Sequence, residues 1–154
     1  MVAVNYGTNT IAIFRNTSTN GSISYAAKST ISVQTTPISA SIGDLDGDGK
    51  PDLVVTNSNS NTISVLRNTS SSGSISFASV GNFATGTSPL HSAIGDLDGD
   101  GRPDIIVTNY TGSGTFSIFK NLSTPGTISL SSKADSATGS YPCSVSLGDL
   151  DSDG

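Results

Sequence analysis

The sequence predicts an all-β fold: propeller-type blades of four antiparallel strands, in three repeats of about 52 residues, with one blade split between the two ends of the chain. Three observations lead there. Sliding the chain by 52 residues aligns Val2–Asp44 with Val54–Asp96 without a gap. Each repeat carries four short β-type segments joined by Gly-, Asn- and Ser-rich connections of the kind hairpins use. No segment has the apolar spacing of a helix. A period of this size means a solenoid, a propeller or a linear array, and four strands in roughly 40–50 residues is the signature of a propeller blade.

The first strand of a blade is predicted at Ser39–Gly43, with counterparts His91–Gly95 and Ser144–Gly148. Small residues alternate there with Ile42, Ile94 and Leu147, as a crowded inner strand requires. The second, Leu53–Thr56, is a continuous apolar run, the pattern of a strand buried on both faces. Met1-Val2-Ala3-Val4-Asn5 and Ile105-Ile106-Val107-Thr108-Asn109 occupy the same register. The third, Thr62–Arg67, alternates apolar and polar residues. Its run through Arg67-Asn68 is matched by one ending in Arg15-Asn16 and, after one inserted residue, by one ending in Lys120-Asn121. The fourth is placed at Ser74–Val80, where Ile75, Phe77 and Ala78 carry the apolar signal.

Residues 39–90 thus hold one blade and 91–143 a second. The third is divided: its inner strand falls at 144–148 and its other three at 2–31. Counted from Met1, the repeats run 1–52, 53–104 and 105–154, and residues 1–154 read as one propeller segment. Rings need about four to eight blades. Three blades therefore predict either a piece of a larger protein or copies that complete each other's divided blade, as a ring or a filament.

Between first and second strands lies Asp44-Leu45-Asp46-Gly47-Asp48-Gly49-Lys50-Pro51-Asp52, written again almost letter for letter from Asp96 to Asp104. A third copy begins at Asp149, Asp151 and Asp153. Carboxylates at alternate positions followed by a glycine suit calcium, a hard cation that takes six to eight oxygens at roughly 2.3–2.6 Å. Asp44, Asp46 and Asp48 turn inward together only if the chain bends tightly, which Gly49 permits. The backbone carbonyl of Lys50 or Arg102 would follow as ligand, its side chain pointing to solvent, and Asp52 or Asp104 would close the shell. Asp96, Asp98 and Asp100 repeat the set. An EF-hand needs a Glu at its twelfth position and flanking helices; Val55 and Val107 stand there instead, in β-branched runs. The bland alternative, solvated Asp-Gly turns, fits one copy better than a series in register. Magnesium is disfavoured by its demand for rigid octahedral geometry and retained water.

The 12 acidic residues are all Asp, and only Asp135 lies outside these loops, so the net charge of −5 comes from them. The seven Lys and Arg are dispersed, which argues against nucleic acid and anionic membranes as partners. The longest apolar runs are far short of the roughly 20 residues of a membrane-spanning helix, so no membrane insertion is expected. Met1 occupies the position of Leu53 and Ile105 and reads as an internal residue of a longer protein. Cys143 falls in the apolar slot of Ile38 and Leu90 and is expected to be a buried, inert thiol, with an intermolecular disulfide as the alternative. Loops of this kind suit weak extracellular modules in millimolar calcium, which favours an extracellular or cell-surface location.

The stretch from Gly43 to Asn57, Gly-Asp-Leu-Asp-Gly-Asp-Gly-Lys-Pro-Asp-Leu-Val-Val-Thr-Asn, and its copy from Gly95 to Asn109 resemble the FG-GAP/VCBS repeat family. That family supplies the blades of integrin α-subunit headpieces and of many bacterial surface proteins. The resemblance covers the whole chain and implies a β-propeller in which calcium braces the link between the first two strands of a blade. Carried over by position, it implies the same ligands: Asp44, Asp46, Asp48, the Lys50 carbonyl and Asp52, with the same set in the next repeat. In the third copy Asp149, Asp151 and Asp153 match and the last Asp is absent. Relatives include adhesion receptors, sugar-binding propellers and domains attached to polysaccharide-cleaving enzymes, so membership does not select a role.

Asn16, Asn68 and Asn121 open N-glycosylation sequons at one repeat position, which predicts exposed loops there; Asn20 and Asn109 also fit the pattern. The only histidine, His91, has Ser39 and Ser144 as counterparts and reads as structural. Tyr6, Tyr25, Tyr110 and Tyr141 are candidates for a sugar-binding surface, although Tyr25 aligns with Phe77 and reads as packing. No nucleophile–base pair, carboxylate pair or phosphate-cradling loop stands out, so no enzyme activity is expected. The function expected is that of a calcium-binding extracellular structural or adhesion protein, self-associating or part of a longer chain. Glycan binding, or service as the accessory segment of a secreted enzyme, are the alternatives.

Overall fold

The computed structural model describes residues 1–150. It is all-β, with three antiparallel sheets and a single 3-10 turn at Tyr6–Thr8. The first sheet has three strands: β1 (Val2–Asn5), β2 (Thr10–Ile13) and β3 (Ser29–Ser32). The second has four in chain order: β4 (Pro37–Gly43), β5 (Asp52–Asn57), β6 (Thr62–Asn68) and β7 (Phe77–Ala84). The third repeats it with β8 (Pro89–Gly95), β9 (Asp104–Asn109), β10 (Thr115–Phe119) and β11 (Ala134–Ala137). Among the described residues the sheets do not close into a ring.

Every residue of β5 and β9 is buried, as their unbroken apolar runs require when sheets cover both faces. The core therefore lies between sheets. One cluster joins Leu45, Val54, Ile63 and Val65 to Ile105, Val107, Phe119 and Ile128 across the second and third sheets. The other joins Ile11 and Ile13 to Leu53, Val55 and Leu66 across the first and second. Full burial of each such side chain is worth about 1.5–3 kcal/mol.

Alternation of small and large residues in the inner strands has a direct cause. A Cβ placed on Gly43 would lie 2.8 Å from Ile94 Cγ2, and one on Gly95 would lie 2.9 Å from Leu147 Cδ1. Beside the first contact, Ser41 Oγ donates to the Ser92 carbonyl at 2.6 Å. Neighbouring inner strands thus meet by seating a branched side chain on a glycine.

Three expectations are corrected. Ser144–Gly148 is seated against β8 through Leu147 but forms no strand, because among the described residues no second strand stands beside it to complete a ladder. The fourth strand of the second sheet is Phe77–Ala84 rather than Ser74–Val80; Ser71 and Ser74 exchange backbone hydrogen bonds and close a tight turn that consumes the predicted start. Cys143 is exposed, not buried, and its thiol donates to the Tyr141 carbonyl at 3.4 Å. Its counterparts Ile38 and Leu90 are only half-buried even in the four-stranded sheets, so the slot is shallower than its apolar occupants implied.

Candidate metal centre

The loop joining β4 to β5 gathers Asp44, Asp46 and Asp48, with one oxygen from each within 4.8 Å of the others. Two oxygens on opposite sides of one calcium stand roughly 4.6–5.2 Å apart, so this spread matches a single coordination sphere. Asx-type bonds shape the bend. Gly49 N–H donates to Asp44 Oδ2 at 2.8 Å, and Lys50 N–H donates to Asp48 Oδ1 at 2.9 Å. Gly49 has φ +84, a value that L side chains avoid. Between β8 and β9 the same bonds recur: Gly101 N–H to Asp96 Oδ2 at 2.8 Å and Arg102 N–H to Asp100 Oδ1 at 3.0 Å. Here the gathered set is Asp96, Asp98 and Asp104.

Asp52 and Asp104 do more than end the loop. Asp52 accepts from Leu45 N–H at 2.9 Å and Asn68 N–H at 2.7 Å; Asp104 accepts from Leu97 N–H at 3.1 Å and Asn121 N–H at 2.8 Å. Each carboxylate ties the start of its loop to the end of the third strand. Asp52 is fully buried. Burial raises its pKa; the Asn68 and Leu45 amides pull it down and the Asp46 and Asp44 charges push it up, leaving it above the ordinary value. Asp52 lies outside the first cluster and Asp100 outside the second. The Asp100 carboxyl is held below its ordinary value, chiefly by the Arg102 amide, against some desolvation, and then by Lys120.

The residues fit a cation on one decisive point: Asp44 Oδ1 is buried without a hydrogen-bond partner. An unpaired buried carboxylate oxygen is costly, and a divalent ion among the three carboxylates would satisfy it. Asp149 lies within the described residues, whereas Asp151 and Asp153 of the third copy lie outside them.

The loops also carry counter-ions that sequence reading overlooked. Arg67 Nε donates to Asp46 Oδ2 at 2.6 Å and its Nη2 to Asp48 Oδ2 at 3.0 Å. Lys120 bonds Asp98 and Asp100 in the second loop. The signal was present: a basic residue and Asn, Arg67-Asn68 and Lys120-Asn121, recur in register with each loop. Lys50 keeps an exposed side chain, as expected, though its Nζ stands 3.8 Å from Asp48 Oδ2. Arg102 departs from expectation by folding back, with Nε donating to the Asn121 carbonyl at 3.0 Å and Nη2 to Asp100 at 2.5 Å.

The sequon positions are corrected as well. Asn16 is exposed, but Asn68 and Asn121 are only 8% and 0% exposed. Asn121 Nδ2 donates to the Leu45 and Pro103 carbonyls at 2.7 and 2.8 Å, and Asn68 Nδ2 to the Pro51 carbonyl at 2.8 Å. The nitrogens a glycan would occupy are thus tied into the fold. Asn109 is buried as well.

A family model for the FG-GAP-like repeat matches residues 1–55, 44–107 and 96–154. The chain belongs to the FG-GAP-like repeat family. The last two FG-GAP-like windows begin at Asp44 and Asp96, so each starts at the first carboxylate of a loop. No curated protein and no solved structure matches the chain.

Proposed function

We propose that this FG-GAP-like chain is a calcium-stabilised, non-catalytic extracellular scaffold with a structural or adhesive role at a cell surface. Asp44, Asp46 and Asp48 hold the ion in the first loop and Asp96, Asp98 and Asp104 in the second, with the Lys50 and Arg102 carbonyls and Asp52 and Asp100 at the margin. The observation that carries this reading is the buried, partnerless Asp44 Oδ1 beside two further carboxylates. The ion would brace the loop that joins a blade's inner strand to its second strand, so its contribution is mechanical and thermal. Extracellular placement follows from the millimolar calcium such modules use. No helix among the described residues is long and apolar enough to cross a membrane. The three-stranded first sheet is completed by another repeat, from a longer chain or a second copy.

Calorimetric titration with calcium and magnesium tests this. Calcium should bind and raise the melting temperature, with magnesium much weaker; Asp44→Asn should abolish one site. A melting curve indifferent to both ions and to chelator would refute the proposal.

One observation favours glycan binding as a second activity. The exposed rings of Tyr110 and Tyr141 stand 5.1 Å apart at a tilt of 52°, a surface on which a sugar face stacks. Loss of a glycan-array signal in Tyr141→Ala would support it, and silence of the wild type in calcium would remove it.

A further inference from the structure

One buried asparagine bonds both acidic loops. Asn121 lies just past β10, with no exposure to solvent. Its N–H donates to Asp104 Oδ1 at 2.8 Å and its carbonyl accepts from Arg102 Nε at 3.0 Å, so its main chain holds the second loop. Nδ2 has two protons to give. It donates to the Pro103 carbonyl of that same loop at 2.8 Å, and to the Leu45 carbonyl at 2.7 Å, between Asp44 and Asp46 of the first loop. In the second sheet Asn68 makes the own-loop bonds, to Asp52 and to the Pro51 carbonyl. The Leu45 bond is therefore the one that spans two blades.

A second path starts from the side-chain oxygen. Asn121 Oδ1 accepts from Ser123 N–H at 2.9 Å and leads into a tight turn, which Thr124 and Thr127 close by exchanging backbone bonds. Within that turn Gly126 lies against Arg67: a Cβ there would stand 3.6 Å from Arg67 Nη2. The same guanidinium bonds Asp46 and Asp48 of the first loop. Packing adds a third connection, because Leu45 is 1% exposed and shares a core cluster with Ile105, the neighbour of Asp104 in β9. The loops face each other across a cavity of about 330 Å³, bounded by Asp46 and Gly47 on one side and Gly101 and Arg102 on the other. The route between them is thus Asn121 and its turn.

We infer that the two ion sites are coupled: calcium in one loop raises the affinity of the other, and Asn121 is the positioning residue that transmits the effect. This rests on the calcium reading proposed above and names how its two sites regulate each other. An ion fixes the backbone of its own loop, and with it Leu45 or Asp104, the groups that Asn121 bonds. Once one end is held, the asparagine already points at the other loop, so the second ion has less chain to order. Repulsion between the ions acts the other way, and physiological salt weakens it over a screening length of about 8 Å. The coupling is reciprocal, each site gaining by the same factor, expected at about fivefold or more.

Calorimetric titration with calcium in physiological salt tests this. Asp44→Asn leaves the second site and Asp98→Asn the first, so each variant gives one affinity with the neighbouring loop empty. The product of the two wild-type association constants should exceed the product of these single-site constants by about fivefold or more. Asn121→Ala, measured in the same backgrounds, should bring that ratio close to one. Val55→Ala, a truncation in the core between the first and second sheets, should lower the melting temperature and leave the ratio unchanged, which separates transmission from mere loss of stability. Hydrogen exchange decides the coupling without any change at Asn121, in case Asn121→Ala fails to fold. In Asp98→Asn, calcium should slow exchange of the Asn121 amide, which bonds Asp104 of the second loop. In Asp44→Asn, it should slow exchange of the Leu45 amide, which bonds Asp52 of the first. A wild-type ratio at or below one, or a raised ratio that survives Asn121→Ala, overturns the inference and leaves the scaffold reading standing. Absence of calcium binding overturns both.

Discussion

Replacing the asparagine that follows the third strand, one repeat at a time, measures how deeply each repeat is built in. Asn121→Ala removes two donated bonds, to the Leu45 and Pro103 carbonyls, and one accepted from Ser123 N–H at 2.9 Å. All three partners lose their bond in a site with no exposure, at about 1 kcal/mol or more each, so the total is about 3–4 kcal/mol. Asn68→Ala removes two bonds, to the Pro51 carbonyl and from Ser70 N–H, for about 2 kcal/mol. Asn16→Ala removes one exposed bond, from Ser18 N–H at 2.8 Å, and stays below about 0.5 kcal/mol. Thermal melts in fixed calcium should order the losses Asn121, Asn68, Asn16, with the first lowering the melting temperature by roughly 6–16 °C. Equal losses at the three positions, or Asn16→Ala the most damaging, would refute the assignment of these side chains as buried ties.

Val55→Ala, in a fully buried site between the first and second sheets, should cost about 2–4 kcal/mol in urea unfolding. Arg67→Met should lower the melting temperature in chelator, because Asp46 and Asp48 lose their counter-ion, and should enlarge the rise that calcium produces. Acidification should act on Asp52 in the opposite sense to a salt-bridged carboxylate. Its folded pKa is raised from the ordinary 3.8, so the neutral form is favoured by folding. The associated stability is present below the unfolded value and lost as pH rises through the folded one. In chelator, the melting temperature of Asp52→Asn relative to wild type should therefore climb with pH above about 4, and a flat difference would contradict the shift.

Local chemistry explains what could be read in advance. The run Leu53-Val54-Val55-Thr56 announced a doubly covered strand, because only burial on both faces tolerates four apolar or β-branched residues in succession. The Asp-x-Asp-x-Asp-Gly spacing announced the bend, since its Asx bonds reach only two to five residues along the chain. Less local features escaped. Arg67 stands 21 residues from Asp46, and Asn121 stands 76 residues from Leu45. Both contacts exist only once sheets stack, and an Asn-Leu-Ser or Asn-Thr-Ser string looks the same in a loop tip as in a buried corner.

By itself, then, the amino-acid order determined the repeat length, most of the strands and the carboxylate loops, the last two written in windows shorter than one blade. Tertiary structure alone decided which copies of a repeated residue are used. Leu45 and Leu97 occupy the same position in the identical run Gly-Asp-Leu-Asp-Gly-Asp-Gly, yet one is 1% exposed and the other 40%. The reason is that a blade buries its inner loop only against the next blade, so burial is a property of the joint between sheets rather than of the residue.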